Sequence, residues 1–128
     1  MTTLTDFLLA RIAEDEEVAL AAAGWNPAGT DRSDGQWIRV GMASVENSYS
    51  GSSVIYSDNG QTSAEVADHV ARHDPARALA ECKAKRAILA FHEGCDDCAY
   101  GLDDLCMQIC ALASAYADHP DFLAEWVS

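Results

Sequence analysis

The segment FHEGCDDCAYGLDDLCMQIC, residues 91–110, restricts what this chain can fold into more than any other. It holds His92, Cys95, Cys98, Cys106 and Cys110 between two stretches with helical patterning. Cys95 and Cys98 have the two-residue knuckle spacing, in which both thiolates can face one ion. His92 stands just before them, at the end of one predicted helix, and Cys106 opens the next. Four soft or borderline donors are the usual complement of structural zinc. The spacing therefore predicts one structural zinc ion held by His92, Cys95, Cys98 and Cys106, pinning two helix ends across a Cys-rich loop. Cys110 competes with His92 for the fourth position, because it lies one helical turn after Cys106. A redox role for the Cys-x-x-Cys pair would call for a βαβ context, which the sequence does not show. Cys82 stands alone in a helical stretch and reads as core.

The rest of the chain reads as helices around one β-prone middle. Leu4, Phe7, Leu8 and Ile12 form an apolar stripe at helical spacing, so a first helix is predicted over residues 4–23, capped by Thr3 or Thr5 and stopped by Gly24. Residues 25–35 are rich in turn formers. Short strands are predicted over 37–43 and 53–56, and the polar stretch Glu46 to Ser52 is expected to be a loop that folding does not need. Thr62 and Glu65 suit a capping box for a helix reaching His73. Asp74-Pro75 then places an N-cap residue and a first-turn proline at the head of a longer helix ending near His92. Leu79, Cys82, Ile88 and Leu89 should face inward on it, with Lys83, Lys85 and Arg86 outward. A fourth helix is predicted from Asp103 or Asp104 to Tyr116, then a short helical segment with Phe122, Leu123 and Trp126. The expected class is α+β and mostly α-helical: a small antiparallel hairpin or sheet packed on helices, with the zinc loop between the last two long helices. Residues 1–128 are expected to form a single zinc-binding domain.

The formal net charge is −13, from 21 acidic residues against 8 Lys plus Arg. Such a balance repels phosphate backbones and anionic lipid, so direct nucleic-acid and membrane partners are disfavoured. Five of the eight basic residues fall between Arg72 and Arg86, and residues 87–128 carry eight acids with no Lys or Arg. A protein partner of this surface should be basic. No stretch reaches the roughly 18 apolar residues of a membrane span. The opening MTTLTDFLLARIAEDEE lacks a basic leader, so a cytoplasmic location with reduced cysteines is expected.

Three stretches resemble a family of small uncharacterised proteins from actinobacteria and their phages. They are HVARHDPARALAECKAKRAILAFH at His69 to His92, ALASAYADHPDFLAEW at Ala111 to Trp126, and the opening DFLLARIAEDEEVA. The resemblance covers most of the chain outside residues 25–60 and brings no assigned activity. It implies a cysteine pair and a third cysteine at Cys95, Cys98 and Cys106, with a histidine at His92. The positions of Cys110 and Cys82 are commonly not cysteine there. Met107 stands where the family often has proline.

No complete catalytic set emerges, and no catalytic residue is assigned. The leading functional expectation is a structural-zinc protein that binds another protein; a phage-encoded factor acting on a host protein is one form it can take. The alternatives are a hydrolase using His69, His73 and His119, and an acidic DNA mimic. Homo-oligomer formation is compatible with the sequence but not readable from it.

Overall fold

The computed structural model of the chain describes residues 2–24, 35–48, 51, 53–55, 63–92 and 104–126, with the side chains of 104–106 outside the description. The described elements run α1 (Leu4–Ala22), β1 (Trp37–Val40), β2 (Ser44–Asn47), β3 (Ser53–Ile55), α2 (Ala64–Arg72), α3 (Pro75–Phe91), α4 (Asp104–Ser114) and a terminal 3-10 turn (Ala124–Trp126). The α+β class holds. Its expected zinc loop does not, for reasons given with the site below. Contacts divide the chain into two compact units, residues 1–14 with 82–128, and residues 15–81.

The first unit is built on the stripe of α1. Thr3 Oγ1 accepts the Asp6 amide at 3.0 Å, closing the helix start as its position predicts. Leu4, Phe7, Leu8 and Ile12 are buried with Cys82 and Leu89 of α3, Ile109, Cys110 and Ala113 of α4, and Trp126. Phe7 is the hub of an aromatic group. Its ring centroid lies 5.0 Å from Trp126, 5.9 Å from Phe122, 5.6 Å from His119 and 6.4 Å from Tyr116. Edge-to-face and tilted pairs at these separations add to the effect of burial alone. Lys85 was expected to face outward. It lies half-buried over the Tyr116 ring at 5.0 Å and donates to its hydroxyl at 2.9 Å.

The second unit holds the sheet, with strand order β1-β2-β3, antiparallel throughout. The second half of its central strand, Glu46 and Asn47, lies in the stretch Glu46 to Ser52 that was expected to be a dispensable loop. Ser44–Asn47 pairs with β1 in the register Trp37↔Asn47 to Val40↔Ser44, so Glu46 and Asn47 belong to the middle of the sheet. Gly41, at φ +63°, opens the turn that makes this return possible, a conformation that side-chain-bearing residues rarely adopt. Val45 then anchors the strand and is 0 % exposed. The sheet packs on α2. That helix is capped by Ser63, whose side chain accepts the Val66 amide at 3.2 Å, one residue after the Thr62 expected in that role; Thr62 lies outside the described residues. Asp74 caps α3 through the Arg77 amide at 2.8 Å, with Pro75 at its first position, as the dipeptide predicts. Gly35, at φ +69°, accepts the Ala76 amide at 3.0 Å, and a Cβ there would stand 3.0 Å from Ala76 N and Pro75 Cβ.

Candidate interaction surfaces

The residues that pointed to chemistry are placed differently from their expected roles. Among the described residues, no group of three or more His, Cys, Asp or Glu side chains is arranged to hold a metal ion. The expected zinc loop, zinc cofactor and structural-zinc function are corrected on that finding. His92 is buried, and its Nε2 meets Gln108 Oε1 of α4 at 3.2 Å, a hydrogen bond that ties the end of α3 to α4. Its Nδ1 has no hydrogen-bond partner among the described residues. Cys95 and Cys98 lie outside the described residues, as does the Cys106 side chain. Cys110, the competing fourth ligand, is disulfide-bonded, with its partner outside the described residues. A sulfur in a disulfide has no thiolate to offer a metal, and five reduced thiols are not what the fold shows. Cys82 is a free, buried core thiol, as its isolation predicts.

The histidine-based hydrolase is likewise unsupported. His69 and His73 stack on exposed α2, ring centroids 4.3 Å apart, and His73 Nδ1 is hydrogen-bonded to the His69 carbonyl at 2.9 Å. His119 belongs to the other unit. There it serves Arg11, whose Nη1 donates to the ring at Nδ1 (2.7 Å), the one acceptor of a neutral imidazole whose Nε2 carries the hydrogen. Arg11 is only 8 % exposed, lies over the Phe7 ring at 5.2 Å and donates from Nη2 to Glu14 Oε1 at 3.0 Å. The Asp121 amide also donates to His119 Nδ1, at 3.1 Å. This cluster is a buried cation with its acceptors, and it closes the C-terminal segment onto α1. Sequence reading missed it, although a signal existed: position 11 continues the 4, 7, 8, 12 stripe, so a charge there had to be buried.

What the described surface does offer is apolar. On α3, Phe91 is 87 % exposed and lines a shallow concavity of about 310 Å³ with Ala87 and Ala90. On the sheet, strand alternation sorts β1 into two faces. Arg39 turns toward α2, where its Nε meets Asp68 Oδ1 at 2.7 Å. Ile38 and Val40 therefore take the opposite face, where they are 48 % and 36 % exposed. Met42, in the turn that follows, is 86 % exposed. The cross-strand neighbours of Ile38 and Val40 are Glu46 and Ser44.

Among the described residues β1 is also an edge strand. The Ser48 amide donates to the Gln36 carbonyl at 2.8 Å. That bond fixes Ile38↔Glu46 and Val40↔Ser44 as the hydrogen-bonded pairs, so the amides and carbonyls of Trp37 and Arg39 point to the outer edge. Asp74 Oδ2 takes the Trp37 amide at 3.1 Å. The Arg39 amide and carbonyl have no partner among the described residues.

Among the described residues, no helix is long and apolar enough to cross a membrane. One family model matches the chain over residues 1–128. No curated protein and no solved structure matches it.

Proposed function

The chain belongs to that family, a family of unknown function (DUF6221), and for this member we propose a role as a protein-interaction module of the cytoplasm whose partner is basic. The observation that carries the reading is the apolar face of β1. Ile38, Val40 and Met42 stand exposed together on a small sheet, where packing would bury them if folding were their only task. Around them the chain is strongly acidic, at −13 overall. An apolar contact surrounded by one sign of charge selects partners of the opposite sign and speeds their encounter. The likeness to proteins of actinobacteria and their phages is part of the same reading, and it makes an actinobacterial lysate the source to search.

The test is co-purification on the immobilised chain followed by mass spectrometry. The expected result is a basic protein whose retention fades as salt rises from about 0.05 to 0.5 M, because the screening length shortens across that range. Ile38→Asp and Met42→Asp should each abolish retention without unfolding the chain. Retention of a neutral partner, indifferent to salt and to both substitutions, would count against the reading.

A further inference from the structure

We propose that the outer edge of β1 accepts an extended, basic segment of a partner protein as an added antiparallel strand. The inference rests on the interaction reading above and specifies how the contact is made.

The geometry begins with the unpaired backbone. An edge strand presents a row of amides and carbonyls to any chain that can lie beside it, and proteins generally blunt such rows. Here the row is blunted only at its start, where the Asp74 carboxylate takes the Trp37 amide. The next outward residue, Arg39, keeps both its amide and its carbonyl free among the described residues. These two groups are what one residue of an antiparallel neighbour needs to exchange a pair of hydrogen bonds. The side chains on either side of that residue, Ile38 and Val40, are the exposed apolar pair, with Met42 beyond them. An added strand would continue the ladder through Arg39 and cover Ile38 and Val40 with its own side chains.

Charge selects the occupant. Among the described residues, the charged side chains tied to the edge are Asp74 at its start, Asp68 on α2, Glu46 on the open face opposite Ile38, and Arg39 itself, while Arg77, whose amide also binds Asp74, is paired with Glu81. Arg39 is already engaged by Asp68 at 2.7 Å. The edge is thus acidic on balance, within a chain of net charge −13. A segment alternating apolar and basic residues places its apolar set beside Ile38 and Val40 and its cations on the α2 side of the sheet, where Asp68 stands. A second copy of the chain fits less well, since two bodies of this charge repel.

The probe is the peptide acetyl-Lys-Val-Lys-Val-Lys-Val-amide, titrated into the full chain and followed by amide NMR shifts and calorimetry. Its match is the same sequence with every backbone amide methylated, which keeps charge and side chains but has no amide to donate to a ladder from either edge. The expected result is binding of the first peptide with its largest shift at the Arg39 amide, and binding weaker by about tenfold or more for the methylated one. Arg39→Pro, tolerated at an outward edge position, should weaken binding to the same degree, while Arg39→Lys should not. Equal binding of the two peptides overturns strand addition while leaving a basic partner standing. No binding of either peptide at millimolar concentration also overturns it. So does a chain that sediments as a dimer and becomes monomeric on Arg39→Pro, because the edge then belongs to a second copy.

Discussion

The two units of this chain hold themselves together in different ways. In residues 1–14 and 82–128, large side chains converge: Leu4, Phe7, Leu8, Ile12, Leu89, Ile109 and Trp126 are all buried. Among the described residues of 15–81, the buried hydrophobic side chains are Ala19, Ala23, Val45 and Ala67, three of them alanines. Apolar burial contributes about 25 cal/mol per Å², so the described residues of the second unit draw far less from it. Polar links take up part of the difference. Asp74 joins the start of α3 to β1, Ser63 caps α2, and Arg39 joins the sheet to α2. A core of large side chains resists local opening. One of small side chains and hydrogen bonds opens more readily, which suits a surface that must receive another chain.

The contrast can be broken at its strongest point first. Phe7→Ala removes the ring that touches four other aromatic rings, and should cost about 3–5 kcal/mol in urea unfolding. A loss under about 1 kcal/mol would show that the first unit is not organised around this residue. Val45→Ala, at the fully buried position of the sheet, should cost about 2 kcal/mol from lost transfer energy and the cavity left behind. Hydrogen exchange should then quicken across β1 and β2. If it quickens equally in α4, the two units do not open independently. Asp74→Ala removes acceptors from two amides, those of Trp37 and Arg77, and should cost about 1–2 kcal/mol. Asp74→Asn, which keeps one acceptor oxygen, should recover part of that loss. The smallest effect is expected at Asp68→Ala. Its pair with Arg39 joins side chains 50 % and 40 % exposed, so the loss should stay below about 1 kcal/mol and shrink further in salt.

Much of this contrast is written in local pattern. The 4, 7, 8, 12 stripe of α1 and the Asp74-Pro75 start of α3 are set by residues close in sequence, and both are found where the pattern puts them. The central strand was not legible, because Ser44, Glu46 and Asn47 carry little β preference and only Val45 marks the buried side. Tertiary pairing, made possible by the Gly41 turn, overrides that preference. The metal reading failed for a different reason. Knuckle spacing states how far apart two sulfurs stand along the chain. It does not state what else competes for them. Cys110 is taken by a disulfide and His92 Nε2 by Gln108. The β1 edge was out of reach of the sequence, since a strand becomes an edge only once its neighbours are known.

Arg11 has a consequence for how this chain diversifies. Its guanidinium carries five N–H donors and no acceptor, so its burial calls for acceptors around it. His119 and Glu14 meet that need at the two terminal nitrogens, Nη1 and Nη2. A lineage that loses the imidazole at position 119 leaves the buried Arg11 Nη1 without that acceptor, a defect costly enough to select for a second substitution at position 11. The two positions, far apart along the chain, therefore form one heritable character. In an alignment of family members they should change together, arginine with histidine or neither, and the few mismatched pairs should come from the least stable proteins.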